Sequence, residues 1–248
     1  MIPFSDSPKL HSSIPYLTIS IILITTAVFS LQIIGSKFAI IFQGSNVAMQ
    51  IFFLKWGFIP YEIFSGIDYK TFINSGDIDS GLPLYAGLLT SLFVHGSGSH
   101  YVLNMLFLWV FGDNVEHRLG KISFSVLYIS TGIIGNLLHY WFNKESNTPL
   151  IGASGAIAGV MGAYIILFPR NKVKILFMFI LITVAEIKAI YILGIWFIWQ
   201  LVQALLQFGV PSVAKIAFLA HVGGFLSGMA LVAIFIFGST WQQKTRRN

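Results

Sequence analysis

The stretch "LIGASGAIAGVMGAY", Leu150 to Tyr164, places one hydroxyl group at the head of a run of very small residues. Ser154 is followed by Gly155 and Gly159, which form a GxxxG motif. Small residues at this spacing let two membrane helices approach closely. Close packing accounts for the glycines, but it does not account for the serine. The stretch therefore predicts a tightly packed membrane helix with a functional hydroxyl at its N-terminal end.

The composition of the chain is that of an integral membrane protein. Of its 248 residues, 56% are hydrophobic and 10% are charged, and the mean hydropathy is +0.79. A soluble domain carries about 25% charged residues. The net charge of +6 is typical of membrane-protein loops on one side of the bilayer, so we expect no nucleic acid partner. The absence of cysteine excludes disulfide and thiolate chemistry.

Six apolar segments predict an all-α membrane protein with six transmembrane helices. They are Ile14–Ile34, Ser99–Asp113, Ile122–Phe142, Ser154–Phe168, Ala189–Leu206 and Ala217–Phe237. The second and the fourth have only 15 residues each, which gives about 22 Å of helix against about 30 Å of hydrocarbon. Because irregular backbone cannot face lipid, we expect a water-filled depression on the outer side, with Ser154 at its floor.

The connections between these segments carry further predictions. Residues 35–83 form a long first outer loop, and its aromatic segment "IFFLKWGFIPYEIF" is predicted to be partly membrane-embedded. The apolar linker after "PRNKVK" is predicted to be loop or interfacial structure. Lys and Arg are concentrated in the flanks on one side, which predicts that both termini are cytoplasmic. The chain divides into a short N-terminus, a six-helix domain and a basic tail: residues 1–13, 14–238 and 239–248.

Polar side chains lie near the outer ends of three predicted helices, with His100 and Asn104 on the second, Ser154 on the fourth and His221 on the sixth. Polar residues inside a membrane are costly and are functional hypotheses by default. A serine hydroxyl becomes a nucleophile when a base takes its proton, and His is the usual base. A helix start also offers free N–H groups and the positive end of the helix dipole, which suit a developing oxyanion.

The spacing of these residues predicts one site. His100 and Asn104 are four residues apart, so they share a helix face and could donate to the same oxygen. A second GxxxG, Gly224 and Gly228, follows His221 and would bring its imidazole to the hydroxyl. None of the acidic residues lies inside an outer helix end, so we expect a Ser–His dyad. "GASGA" is not the G-x-S-x-G elbow of soluble hydrolases, because its last residue is Ala.

The residues resemble the rhomboid family of intramembrane serine proteases over about residues 56–228. "GASGAIAGVMGAY" is similar to the nucleophile motif and "AHVGGFLSG" to the segment around the catalytic histidine. "HGSGSHYVLN" matches the family's H-x4-H-x3-N pattern, "NMLFLWVFGDNVEHRLG" resembles its continuation, and "WGFIP" resembles the first-loop entry of bacterial members.

This resemblance implies an enzyme, a serine endopeptidase that cleaves transmembrane segments of single-pass membrane proteins near the outer interface. It implies Ser154 and His221 as the catalytic pair and His100 and Asn104 as oxyanion donors, with His95 and Gly152 as supporting candidates. It also implies a multi-pass protein of a prokaryotic plasma (inner) membrane, whose partners are a substrate's transmembrane helix and the lipid bilayer. We expect no cofactor and no metal.

Two departures from the family pattern bear on the site. Some members carry an aromatic residue four positions after the nucleophile, packed on the histidine, where this chain has Ala158. His221 must then be held by another group, for which a Phe or Trp of another helix is the candidate. The "HGSGSH" link holds only Gly and Ser where members often have a bulky residue.

Other functions stay open at this level. A catalytically silent relative would bind transmembrane helices without cutting them. A metal-dependent hydrolase would use His95, His100 and His221, although HExxH and a nearby carboxylate are both missing from the sequence. A channel or transporter would be expected to show inverted repeats, and none is visible. For His95 a structural role in bracing the loop is favoured over substrate contact.

Overall fold

The computed structural model describes residues 2–8, 13–42, 46–67, 82–178, 182–207 and 216–245. The helices are α1 (Tyr16–Gly35), α2 (Val47–Trp56), α3 (Pro60–Ser65), α4 (Gly87–Thr90), α5 (Gly98–Leu119), α6 (Lys121–Phe142), α7 (Ser154–Leu167), α8 (Ala189–Leu206) and α9 (Phe218–Thr245). Three strands form one sheet: β1 (Ile2–Ser7), β2 (Lys172–Met178) and β3 (Ile182–Lys188).

The architecture is a helical membrane bundle. Within the described ranges, four helical segments are long and apolar enough to cross a membrane, in α1, α6, α8 and α9. Helices α5 and α7 pack among them. The count of six spans remains a prediction, because α7 has only 14 residues, about 21 Å of helix.

Helix α7 forms the centre of the bundle. Every residue from Gly155 to Tyr164 is buried, and α5, α6 and α9 surround the helix. A Cβ built on Gly224 would overlap the carbonyl oxygen of Gly155, and one on Gly228 would overlap that of Gly159. The two glycine pairs therefore let the backbones of α7 and α9 touch, as the GxxxG motifs predict.

Helix α5 is longer than the predicted segment Ser99–Asp113. It has 22 residues and is capped by Gly120, whose φ of 78° is a backbone conformation that favours glycine. The prediction placed the end at Gly112 and Asp113. Gly112 instead provides space for α1, because a Cβ there would lie 3.0 Å from Oγ1 of Thr18. The argument that the second helix is too short to span is therefore wrong, whereas the fourth predicted helix, α7, is short, as predicted.

The first helix is anchored to the end of α5 by one carboxylate. Glu116 is buried, and its side chain accepts hydrogen bonds from the backbone N–H groups of Leu17 and Thr18 at 2.9 and 2.7 Å. The Thr18 hydroxyl donates to the same carboxylate at 2.8 Å. These N–H groups belong to the first turn of α1, which has no intrahelical acceptors for them. Glu116 thereby fixes α1 against α5.

The linker after α7 forms an antiparallel sheet that the sequence did not predict as strands. Lys172 to Met178 pair with Lys188 to Ile182, and Ile2 to Ser7 add the third strand along β2. Val173 and Ile175 are buried, whereas Lys172 and Lys174 lie near Glu186 at the surface. This period-2 alternation is typical of a half-buried strand.

The described parts of the long first loop contain helices α2 and α3. Phe58, which follows α2, exchanges two backbone hydrogen bonds with Leu150 at 3.0 and 2.7 Å. The "WGFIP" segment thus holds the chain just before α7. Its partial burial in the membrane remains a prediction, and the polar patch "NSGDIDSG" lies outside the described residues.

We expect Gly228→Ala to destabilise the bundle, because its Cβ would force α9 away from the backbone of α7. Overpacking of this kind costs about 1–3 kcal/mol. Thermal unfolding of the purified protein in detergent measures the loss.

Gly194→Ala on α8 is the matched control, because nothing lies within 4 Å of the Cβ that it adds. The control should be as stable as the wild type or slightly more stable, since Ala is the better helix former. Equal unfolding temperatures for the two variants would contradict the proposed packing.

Candidate active site

Ser154 and His221 lie within hydrogen-bonding distance of each other. The Ser154 Oγ is 2.7 Å from Nε2 of His221. Ser154 is the first residue of α7, and His221 lies in the first turn of α9. The two residues are 67 positions apart in the sequence. The close contact between α7 and α9 therefore brings together a serine hydroxyl and an imidazole that can act as its base.

The pair faces a cavity with a volume of about 550 Å³. Its lining is mainly apolar and includes a few polar side chains. The lining residues are Ser99, His100, Leu103, Asn104, Phe107, Pro149, Leu150, Ile151, Ser154, Ile157, Met161, Trp196, Ile216, Ala217 and His221. The cavity thus joins Ser154, His221, His100 and Asn104, the four residues that the sequence places in one site.

His100 and Asn104 stand on the α5 side of the cavity. The Ser97 side chain caps α5 by accepting the His100 N–H at 3.1 Å. The Asn104 amide donates to the carbonyl oxygen of His100, one turn earlier, at 3.0 Å. The Nδ1 of His100 accepts a weak bond from the Gly96 N–H at 3.4 Å, which leaves Nε2 as the protonated nitrogen of the neutral ring. His100 can therefore donate a hydrogen bond from Nε2.

Gly152 supports the site through its backbone. Its φ is 123°, a backbone conformation that residues with a side chain rarely adopt. Its N–H donates to the carbonyl oxygen of Ser91 at 2.9 Å. A Cβ at this position would lie 2.7 Å from Cε1 and 2.8 Å from Nε2 of His100. The glycine therefore leaves the space that the His100 ring occupies beside Ser154.

His95 does not line the cavity and is fully buried in the link before α5. Its backbone N–H and carbonyl are both held by the side-chain amide of Gln32, at 3.1 and 2.9 Å. Its ring packs against those of Phe29, His100 and Tyr101. Burial, and to a lesser extent the nearby His100, lowers the pKa of His95 to about 3, so the ring is neutral. This arrangement favours the bracing role over substrate contact.

Gln200 is a site residue that the sequence reasoning missed. Its Oε1 lies 2.7 Å from Nδ1 of His221, on the side of the imidazole opposite Ser154. The signal was present, because a glutamine within the apolar segment Ala189–Leu206 is a functional hypothesis by default. Ala158, in contrast, is fully buried in the α7 core.

Two aromatic rings also border the imidazole of His221. The Trp196 ring centroid is 6.0 Å from that of His221, with a tilt of 34°. Phe218, one turn earlier on α9, presents its edge at 6.2 Å. Position 158 provides no aromatic ring for His221. Trp196 of α8 and Gln200 contact the imidazole instead.

No group of three or more His, Cys, Asp or Glu side chains that could hold a metal ion occurs in the part of the chain that the structure describes. His95, one of the three candidate ligands of a metal-dependent hydrolase, lies outside the lining of the cavity. The chemistry that the described side chains can carry out is the activation of a serine hydroxyl by an imidazole.

Comparison with known proteins identifies relatives of the part of the chain that contains the cavity. A model of the Rhomboid domain matches residues 84–237, more than half of the chain. Rhomboid protein 1, mitochondrial, of Saccharomyces cerevisiae is 31% identical over 164 residues, which cover 64% of this chain and 44% of the yeast protein. Presenilin-associated rhomboid-like protein, mitochondrial, of Homo sapiens is 34% identical over 97 residues, covering 38% of this chain and 26% of the human protein. RHOMBOID-like protein 6, mitochondrial, of Arabidopsis thaliana is 27% identical over 158 residues, which cover 63% of this chain and 46% of the Arabidopsis protein.

These relatives bear on the location of the protein. The chain spans less than half the length of each of them. All three are named as mitochondrial proteins, so the prediction of a prokaryotic plasma membrane is wrong. The distribution of Lys and Arg was interpreted as placing both termini on the cytoplasmic side of that membrane, and this assignment is wrong together with the membrane. The similarity of "WGFIP" to bacterial members misled the prediction, because a loop motif carries no information about the compartment.

We expect Gly152→Ala to displace the His100 ring and to slow the reaction of Ser154 with a fluorophosphonate probe by about a hundredfold, the effect of losing one oxyanion donor. Gly120→Ala is the matched control, because it also places alanine at a positive φ but in open space. Both variants should lose some stability, and only Gly152→Ala should lose reactivity. Equal labelling rates for the two variants would show that the space beside His100 has no part in the reaction.

Proposed function

The chain belongs to the rhomboid family, as its motifs predict, and we propose that it is an intramembrane serine endopeptidase of a mitochondrial membrane. The family generally comprises intramembrane serine proteases that act on transmembrane substrates. The proposed reaction is the hydrolysis of a peptide bond in the transmembrane segment of a single-pass membrane protein. The observation that supports this most directly is the 2.7 Å separation of Ser154 Oγ and His221 Nε2 at the wall of a cavity.

The proposed reaction begins with His221 as general base. Its Nε2 takes the hydroxyl proton of Ser154 while Oγ attacks the carbonyl carbon of the scissile bond. The protonated imidazole then gives the proton to the leaving amine, and the peptide bond breaks to leave an acyl-enzyme. A water molecule, activated by His221 in the same way, releases the acid product and restores the serine.

The negative charge of the tetrahedral intermediate requires donors close to Ser154. The Nε2–H of His100, the amide of Asn104 and the N–H groups of the first turn of α7 are the candidates, and the α7 dipole adds to their field. Asn104 donates one amide hydrogen to the carbonyl oxygen of His100 in the free protein, which leaves the second hydrogen of the amide for the oxyanion. Hydrogen bonds of this kind often become aligned only in the substrate complex.

The shape of the cavity supports an extended peptide segment as substrate. Ser154 lies at one wall, and the apolar side chains of Leu103, Phe107, Ile157 and Met161 line the space around it. An intact helix has a diameter of about 10–12 Å and shields its own carbonyl groups. A substrate helix must therefore unwind near the cut, which favours segments with small residues and weak helix propensity.

We expect a fluorophosphonate probe to label Ser154 and the purified protein to cleave a model transmembrane substrate. Ser154→Ala should abolish both signals because it removes the attacking oxygen. His221→Ala should reduce both by a factor of about a thousand or more, because the hydroxyl loses its base. Mass spectrometry of the labelled peptide and gel analysis of the substrate measure the two signals.

Ser130→Ala is the matched control, because Ser130 lies on α6 away from the cavity lining and its hydroxyl donates to helix carbonyls at 2.5 and 3.3 Å. This variant should behave as the wild type. Absence of labelling in the wild type, with binding of the transmembrane substrate retained, would instead identify a catalytically silent relative. Cleavage that persists in Ser154→Ala would exclude the Ser–His mechanism.

A further inference from the structure

Gln200 is a buried polar residue on a helix that is otherwise apolar along its inner face. The buried residues of α8 are Ala189, Leu193, Gln200 and Ala204, and Gln200 is 6% exposed. An amide in such a place costs free energy unless it is hydrogen-bonded. Its Oε1 is bonded to Nδ1 of His221 at 2.7 Å. The hydrogen bond to His221 therefore offsets the cost of burying the Gln200 amide.

The chemistry of this bond decides which nitrogen of His221 carries the proton. An amide oxygen accepts hydrogen bonds and cannot donate them, so the Nδ1 that faces it is the protonated nitrogen. In a neutral imidazole, Nε2 is then the lone-pair nitrogen, and Nε2 is the atom that lies 2.7 Å from Ser154 Oγ. The opposite tautomer would present an N–H to the serine and leave its hydroxyl proton without a base.

The aromatic neighbours of His221 cannot make this selection. Trp196 and Phe218 border the ring at centroid distances of 6.0 and 6.2 Å, and they limit its tilt. A ring contact does not distinguish Nδ1–H from Nε2–H. In the described chain, the Oε1 of Gln200 is the hydrogen-bond partner that the structure gives to Nδ1.

We propose that Gln200 is a positioning residue, which holds the His221 imidazole in the Nδ1–H tautomer and turns its Nε2 toward Ser154. The site then contains a hydrogen-bonded row of Ser154, His221 and Gln200 rather than an isolated dyad. This inference rests on the proposed function for its effect on catalysis. The tautomer itself can be observed whether or not the protein is a protease.

The third member also connects the base to α8. Gln200 follows Trp196 by one turn, and the neighbouring Phe197 stacks on Phe225 of α9 at 4.7 Å. These ring contacts fix the position of α8 along α9, and therefore the position of the Gln200 Oε1 relative to the imidazole. A displacement of α8 away from α9 would remove the Gln200 oxygen from His221 Nδ1. The imidazole is therefore held in this orientation only while α8 packs against α9.

The experiment compares Gln200→Met with Gln200→Glu in the full chain. Methionine has a similar length but no strong acceptor, whereas glutamate restores an acceptor oxygen facing Nδ1. We expect Gln200→Met to lower kcat for a transmembrane substrate about tenfold or more, with KM changed far less, because a buried hydrogen bond to the base is lost. Gln200→Glu should recover kcat to a value closer to the wild type than to Gln200→Met.

The matched control is Gln203→Met, which removes an amide of the same helix outside its most buried stripe. It should leave kcat and KM unchanged. The spectroscopic readout is the nitrogen-15 spectrum of histidine-labelled protein, with the His221 signals identified by their loss in His221→Gln. The wild type should show a protonated Nδ1 and an unprotonated Nε2, and Gln200→Met should lose this preference.

The outcomes separate the two proposals. Wild-type kcat in Gln200→Met, or an unaltered Nδ1–H signal in that variant, would overturn the positioning role. A loss of kcat that Gln200→Glu does not recover would reduce Gln200 to a packing residue, which also overturns it. Absence of cleavage and labelling in the wild type would overturn the proposed function alone, and the nitrogen-15 spectra would still decide the role of Gln200.

Discussion

The contact between the backbones of α7 and α9 is the constraint on which the site depends. Gly155 meets Gly224 and Gly159 meets Gly228, with no side chain between the two helices. In lipid the hydrophobic effect does not drive helices together, so van der Waals packing of this kind has to hold them. Ser154 directly precedes the first glycine pair on α7. The contact that holds the bundle is therefore the same contact that sets the distance from hydroxyl to base.

The opposite ends of α5 and α7 are held by the N-terminal strand. The buried carboxylate of Asp6 accepts hydrogen bonds from the amide of Asn114 on α5 and the hydroxyl of Tyr164 on α7. Asn171, just before β2, donates to the same hydroxyl at 3.2 Å. A carboxylate that is buried and hydrogen-bonded to two helices ties them together. The helix of the oxyanion candidates and the helix of the nucleophile are thus fixed relative to each other far from the cavity.

The sequence predicted the parts of the molecule that are encoded by local pattern. Hydropathy located α6 and α8 to within one residue, and the GxxxG motifs predicted the contact that places Ser154 beside His221. The end of α5 was misplaced because Gly112 looks the same whether it terminates a helix or makes room for Thr18. The pairing of β1 with β2 was not predictable because the two strands lie far apart in the sequence, whereas the β2–β3 hairpin was missed because a continuous apolar run follows the short alternation at Lys172 to Ile175. Gln200 was overlooked because its partner lies 21 residues away on another helix.

A glutamine, rather than an aspartate, beside His221 is consistent with the location of the site. In soluble triads a buried carboxylate orients the histidine and stabilises its charged form. A carboxylate within a membrane helix carries a large desolvation cost, which an amide avoids because it is neutral. The amide oxygen still selects the tautomer, because selection requires only an acceptor. The amide gives up most of the charge stabilisation, so in the proposed reaction the imidazolium relies on water that enters the cavity. The site lies at the N-terminal end of α7 beside a cavity of about 550 Å³, which has room for that water.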